Sequence, residues 1–390
     1  MLWGIMNWLS SIPSSSGERT LEGVRIVDLT RYLPFTTLLA DMGAEVIKVE
    51  EPRRGDYART LPPYFSAVHR NKRSLTLNLN SPKGREVLLK LVERGDVLVE
   101  NFRPGVMEKW GLDYDTLSGR NSRLIYCSIS GYGKKGPYRL LSGHDINYLS
   151  LGGVLGLTRD ENGKPVIPGV QIADMGTCLL ATVAILSALF HRERTGKGQY
   201  LEISFLGASL FFLTLPSSLH LEGWEVSEET LPLLGHFPCY AVYRTSDGKY
   251  LSIGCLEEVF WERLCEVLGK REYLGHQWDL EKREEIFEAF QRIFLTRKRE
   301  EWFRLLSEAD VPVAPVYSLE EVFSDPQVKE TGMLVEEGGR RELGFPFQSS
   351  LFSYKPRRKA PSLGEHTEEI LKELGYTEEE VEEMRAEGVV

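Results

Sequence analysis

Residues 24–52 read VRIVDLTRYLPFTTLLADMGAEVIKVEEP, and their pattern sets the fold class. Val24 to Leu29 is a β-branched run that predicts a strand. Pro34 then opens a helix that reaches Asp41 and stops at Gly43, with proline at the first turn and glycine just past the last. Glu45 to Val49 predicts the next strand. Strand, helix and strand in so short a span is the unit from which parallel sheets are built.

The same alternation continues outward. Leu75 to Leu79 is expected to be a strand. Ser81-Pro82 then opens a helix that carries Val87, Leu88, Leu91 and Val92 on one face. Asp96 to Val99 and Arg123 to Ile129 complete the set of strands. Met175 to Phe190 is an apolar helix with Asp174 expected as its N-cap, Arg192 and Arg194 near its end and Gly196 beyond it, and it is expected to be buried at the centre of the domain. After about residue 215 the pattern changes to a hairpin, Tyr240 to Ile253, turning at Asp247-Gly248, and then to charged amphipathic helices through Glu308. From Leu319 the tail mixes short helices with proline-rich turns and ends in an acidic helix, Glu378 to Glu387, expected to lie in solvent.

At 390 residues the chain exceeds one ordinary core, so more than one domain is expected. The divisions are an N-terminal extension over 1–20, a large α/β domain over 21–215, a small α+β domain over 216–320, and a segment over 321–390 that returns to the large domain. The extension, apolar and then serine-rich, is expected to be loosely attached; it lacks the basic start and long apolar run of a signal peptide or membrane span. A net charge of -10 argues against nucleic acid, which needs a broadly basic surface. Cys127, Cys178, Cys239, Cys255 and Cys265 show no CxxC spacing and read as reduced thiols, which with the missing leader points to the cytoplasm and to no membrane partner.

Gly131-Tyr132-Gly133-Lys134-Lys135-Gly136 matches the dinucleotide fingerprint GxGxxG, but Pro137 and a polar loop follow it instead of a helix. The first strand-to-helix turn, Thr30 to Thr36, has no glycine, so NAD is not expected, although Glu50 ends the second strand where a ribose-binding acid would sit. Asn71-Lys72-Arg73-Ser74 and Arg103-Pro104-Gly105 bring basic side chains that would suit a phosphorylated nucleotide such as CoA. His144, inside Gly143-His144-Asp145-Ile146-Asn147-Tyr148, and Asp174 are the titratable groups with chemical potential. His69, His191, His220, His236, His276 and His366 are dispersed without ligand spacing, and no metal is expected.

In order along the chain, LADMGAEVIKVEEP with Gly55-Asp56, NKRSLTLNL, ENFRPGV, RLIYCSISGYGKKGP, GHDINYLSLGGVL, QIADMG and PSLGEHT resemble the family III CoA-transferases, the carnitine and bile-acid CoA-transferase group that also holds the α-methylacyl-CoA racemases. The resemblance implies a large Rossmann-like domain with a parallel sheet, a smaller α+β domain carrying the hairpin, and a homodimer of interlocked subunits. It implies an acyl-CoA substrate, with CoA held by Glu50-Glu51-Pro52, by Asn71, Lys72, Arg73, Ser74 and Leu75, by Arg103, and by Gly131, Tyr132, Gly133 and Lys135. No cofactor would be bound permanently; coenzyme A would enter as part of the substrate.

Two chemistries follow from the resemblance. In a transferase the residue matching Asp174 attacks the thioester and ends as an aspartyl-CoA ester, with a carboxylic acid as acceptor. In a racemase Asp174 and a histidine flank the α-carbon and exchange its proton. The GHDINY motif, the racemase-like interval from His144 to Asp174 and the match of Glu257 to a glutamate that orients the histidine favour the racemase branch. The glutamine of oxalate-type transferases falls here at Leu33, within Tyr32-Leu33-Pro34-Phe35, which implies a bulkier, more apolar acyl pocket. The amide of Asp174, or of a neighbour at the helix start, is the expected donor to the thioester oxygen.

Overall fold

The computed structural model describes residues 19–390 except 161, 228, 338 and 351–356; the expectation for the N-terminal extension falls almost wholly outside them. The chain divides into two compact units, one ending at Phe212 and resuming from Gly332 to Val390, the other spanning Leu213–Thr331.

The first unit is built on six strands: β1 (Arg25–Asp28), β2 (Glu45–Glu50), β3 (Lys72–Thr76), β4 (Val97–Glu100), β5 (Ile125–Ser130) and β6 (Gln199–Ser204). All neighbours pair in parallel, in the order β3-β2-β1-β4-β5-β6. This is a Rossmann-type order, in which the direction of winding reverses between β1 and β4. Successive residues serve opposite faces. Ile26, Val46, Val97 and Ile125 face one core and Val27, Ile47, Leu98 and Tyr126 the other, so the strands read as continuous apolar runs.

Helices cover both faces. In chain order they include α1 (Thr37–Asp41), α2 (Pro62–His69), α3 (Pro82–Glu93), α4 (Asp145–Leu151), α5 (Ile172–Thr195) and α6 (Phe205–Phe212). Ala173, Ala181, Ile185 and Ala188 of α5 pack against one face of the sheet, and Val87, Leu88, Leu91 and Val92 of α3 against the other.

Two expectations shift here. Strand β3 begins three residues earlier than its apolar run, because Lys72, Arg73 and Ser74 are buried with partners supplied by other segments. Helix α5 is not wholly buried: Met175, Leu179, Val183 and Phe190 form an exposed stripe at intervals of four, four and seven residues. By length and composition α5 could cross a membrane, yet half of its most apolar window is buried inside the protein, as in a core helix.

The second unit pairs β7 (Tyr240–Arg244), β8 (Tyr250–Gly254) and β9 (Val313–Pro315) as an antiparallel sheet. Its core joins them to α7 (Glu258–Val267), α8 (Arg283–Phe294) and α9 (Arg299–Glu308) through Tyr243, Trp261, Phe290, Phe294 and Trp302. The hairpin turns at Gly248, whose φ of 76° lies in the region that glycine enters freely.

The chain then returns to the first unit as the hairpin β10 (Leu334–Glu337) and β11 (Arg340–Leu343), followed by α10 (Thr367–Glu373) and α11 (Glu378–Ala386). The acidic α11 is only partly the solvated helix that its charge suggests, since Val381 and Met384 are buried in the sheet core.

Beneath the β1 end lies a buried charge network. The carboxylate of Asp28 accepts from the Thr30 amide (2.9 Å), the Thr30 and Thr36 hydroxyls (both 2.6 Å) and Lys72 Nζ (3.1 Å). Burial works against its charge, but Lys48 and Lys72 outweigh that cost and hold it well below the usual carboxylate range. Lys48 also contacts Asp56 at 3.0 Å. Removing Asp28 would leave two buried cations short of a partner. Asp28→Ala is therefore expected to lose roughly 3–5 kcal/mol in urea unfolding at pH 7, while Glu93→Ala, which breaks an exposed contact to Arg120, changes stability by less than about 0.5 kcal/mol.

Candidate active site

A parallel sheet presents the carboxyl ends of all its strands at one edge, and the helices between them begin there. At that edge, where the winding reverses, Arg31 and Asn101 bind each other reciprocally: the Arg31 amide donates to Asn101 Oδ1 (2.9 Å) and Asn101 Nδ2 donates to the Arg31 carbonyl (3.2 Å). A cleft open to solvent lies here. Its walls include Thr30, Arg31, Glu50, Asn78, Phe102 and Trp110.

The residues that the sequence assigned to CoA fall in different places. Glu50 lines the cleft, but its carboxylate is occupied by a two-pronged bond from Arg59 (both 2.7 Å), the Ser74 hydroxyl (2.7 Å) and the Asp56 amide (3.0 Å). Asn71 caps inward onto Asp41 and the Arg357 and Arg358 amides. Lys72 turns to Asp28, Arg73 to Glu45 and Glu373, and Leu75 is core.

None of Asn71 to Leu75 lines the cleft, because β3 starts at Lys72 and its carboxyl end is reached only at Thr76; Leu77 to Asn80 take that position. Arg103 is tied to the Ser142 hydroxyl. Gly131, Tyr132, Gly133 and Lys135 lie just past β5, partly or fully exposed.

Asp174 belongs to the start of α5, but not as its cap. Gln171 is the N-cap and Asp174 is the third helical residue, where a carboxylate still faces the positive end of the helix dipole. Its amide donates to Asp145 Oδ1 at 3.1 Å, so the donor expected to serve a thioester oxygen is already engaged. Asp145 opens α4, with His144 as the N-cap, and the His144 amide is held by Asn147 Oδ1 at 3.0 Å. One hydrogen bond thus draws together the starts of two helices that carry the two candidate reacting side chains. His144 is exposed and Asp174 is half-buried.

Aromatic residues support this junction. The Tyr148 hydroxyl donates to the Gly143 carbonyl (2.7 Å), fixing the peptide that precedes His144, and its ring stacks on Phe205 with centroids 4.8 Å apart. Gly143 has no room for a side chain: a Cβ there would stand 2.8 Å from both the Tyr132 hydroxyl and the Tyr148 ring.

Tyr32, at φ 71°, is held in a left-handed conformation rare for a bulky residue because its amide donates to both oxygens of Asp56 (3.0 and 3.1 Å). Its ring lies 5.1 Å from that of Tyr64. Burial, followed by Tyr32, Cys178 and Asp174, pushes the Tyr64 phenol up, so Tyr64 lies within electrostatic reach of Asp174. Tyr64 carries no distinguishing pattern in the sequence, and Asp145 was visible only as part of GHDINY.

Burial first, and the negative charge of Asp145 second, push the Asp174 carboxyl up to about 6. It can therefore hold or release a proton close to neutrality. Glu257 lies in the second unit, exposed, as the N-cap of α7; Gln277 holds the loop before it through the Cys255 (2.9 Å) and Leu256 (2.8 Å) carbonyls. Among the described residues no group of three or more His, Cys, Asp or Glu is arranged to hold a metal ion.

Comparison with known proteins yields a family model described as CoA-transferase family III, which matches residues 21–367. The chain is 35% identical over 395 residues to the mouse succinyl-CoA:glutarate CoA-transferase, covering 95% of this chain and 90% of that protein. It is 36% identical over 381 residues to the human alpha-methylacyl-CoA racemase, covering 95% and 97%. Among solved structures, a CAIB/BAIF family protein from Brucella suis superimposes with a TM-score of 0.82 at 33% identity, over 92% of this chain and all of that one.

The raised Asp174 carboxyl has a consequence for stability. The unfolded chain releases this proton near the ordinary 3.8 and the folded chain near 6, so stability falls as pH rises through that window and the loss is complete above it. Asp174→Asn is expected to be more resistant to urea than the parent at pH 7.5, with the gap closing at pH 4. A gap independent of pH would contradict this assignment.

Proposed function

The chain belongs to CoA-transferase family III, and on that premise we propose that it is an α-methylacyl-CoA racemase or close epimerase in which Asp174 and His144 exchange the α-proton of an acyl-CoA. The protein is an enzyme of the racemase or CoA-transferase type. The observation that supports the narrower reading is the bond from the Asp174 amide to Asp145, the residue that follows His144, together with an Asp174 carboxyl poised near neutrality.

For one substrate hand, the Asp174 carboxylate takes the α-proton and the C–H electron pair becomes an enolate on the thioester. The protonated His144 imidazole then delivers a proton to the opposite face. For the other hand His144 begins neutral, Asp174 begins protonated, and the roles reverse. The Asp174 amide is given to Asp145, so the enolate oxygen is assigned to the free amides at the starts of α4 and α5, which have no intrahelical partner.

CoA enters as substrate. Its nucleotide is assigned to the cleft at the winding reversal, with Glu50 and Asp56 shaping that wall and the Arg103 and Gly131 to Lys135 loops nearby along the edge; no permanent cofactor is required. Asn71 to Leu75 would contribute through the framework behind the cleft rather than by direct contact.

The second reading, a CoA-transferase, is favoured by the glutarate transferase relative. There the Asp174 carboxylate attacks the thioester carbonyl and expels the CoA thiolate, giving a mixed anhydride. The thiolate then attacks the aspartyl carbonyl and releases the donor acid, and an acceptor carboxylate completes the exchange.

The working assembly proposed is an interlocked homodimer. Support comes from the apolar stripe Met175, Leu179, Val183 and Phe190 on α5, continued by Leu210 on α6, a surface that a monomer would leave in water. Five buried cysteines without a disulfide support a cytoplasmic setting.

Incubation of a 2-methylacyl-CoA in deuterated water with no acceptor acid is expected to place deuterium at the α-carbon. His144→Ala is expected to reduce that exchange by roughly 10²- to 10⁴-fold. Absence of exchange, with CoA moving to an added carboxylate and a hydroxylamine-sensitive ester on Asp174, would establish the transferase instead. For the assembly, Val183→Glu is expected to convert a dimer in light scattering to monomer or aggregate; an unchanged dimer would contradict the assigned interface.

A further inference from the structure

Asp145 lies next to His144 in sequence and next to Asp174 in space, yet neither mechanism above gives its side chain a step. We infer that Asp145 is a positioning residue for the chemistry at Asp174: its carboxylate grips the Asp174 amide at 3.1 Å and stands as a second negative charge beside the reacting carboxyl. The inference rests on the reading of Asp174 as the reacting group.

Two features separate this role from ordinary helix capping. Asp145 is the first residue of α4, where an acid already answers the dipole of its own helix. Its bond nevertheless crosses to α5 and anchors the first turn there, within a shell closed by Tyr148 and Gly143 on one side.

Apart from Asp145 and, on the proposed reading, His144, the titratable groups around Asp174 are Tyr64 from α2, Tyr148 from α4 and Cys178 one turn along α5, each held in its neutral form chiefly by burial. Lys72 of β3 reaches as far as Cys178, but the influences on the Asp174 carboxyl itself are burial and Asp145. A like charge beside a half-buried carboxylate favours its protonated form. A proton exchanger requires this, because a fully acidic aspartate would take up a proton too rarely to return it. The same contact would weaken a pure nucleophile, which needs only the anion.

Asp145→Asn keeps an oxygen that can accept the Asp174 amide but removes the charge, whereas Asp145→Ala removes both. In the Asp145→Asn variant the acid limb of the deuterium-exchange profile is expected to move down by about one pH unit, so that exchange at pH 5 relative to pH 8 rises roughly three- to fivefold over the parent. Asp145→Ala is expected to show the same displacement together with a fall in kcat at every pH and little change in KM, as befits a lost anchor.

A readout that needs no turnover is the pH dependence of the stability gained by Asp174→Asn, measured in the parent and in the Asp145→Asn background. The midpoint is expected to fall from the parent's value near 6. Superimposable curves in the two backgrounds would overturn the role of Asp145. Full exchange activity in Asp174→Asn would overturn the assignment of Asp174 itself, whatever the stability curves show, so the two failures are distinguishable.

Discussion

A sheet whose strands all run one way collects every strand's carboxyl end and every crossover helix's amino end at a single edge, and the candidate chemistry of this protein is arranged along that edge. The reversal of winding between β1 and β4 opens the cleft, with Arg31 and Asn101 joined across it. Helix α5 leads into β6, so its start lies at the same edge and carries Asp174 there. The burial that raises the Asp174 carboxyl and the dipole that welcomes its anion oppose each other, and the former prevails.

The loops at that edge are held by charges placed inside the protein. Asp56 receives the Tyr32 amide and meets Lys48, which contacts the same network as Asp28 and Lys72. Glu50 binds Arg59, Ser74 and the Asp56 amide together. The returning C-terminal segment closes onto the same strands: Gly364 donates to Ser74, and the Thr367 hydroxyl accepts the Thr76 amide at 3.0 Å. Breaking one member of such a network leaves its partner buried and uncompensated, which is why cationic residues that look like ligand contacts in the sequence are spent on the framework.

Most of the parallel sheet was legible in the sequence because β-branched runs between helix signals survive any tertiary context. Strand β3 was misplaced by three residues because Lys72 and Arg73 look like surface residues until Asp28 and Glu45 are brought beside them. The same shift leaves Asn71 to Leu75 short of the cleft, where Leu77 to Asn80 lie. Asp174 was legible as a helix-start acid, though it sits three positions inside the cap rather than at it. Its dependence on Asp145 was not, since the two are separated in sequence and only the fold brings α4 against α5. The exposed side of α5 was hidden for a different reason: an all-apolar helix reads the same whether its second face meets core or another chain.

The most direct test of the central claim is a crystal structure with a bound, slowly reacting acyl-CoA. The account places the acyl α-carbon about 3–3.5 Å from an Asp174 carboxylate oxygen, with the His144 ring on its opposite face and CoA running along the carboxyl edge of the sheet. A thioester bound away from Asp174, with that carboxylate touching neither the α-carbon nor the carbonyl, would contradict it.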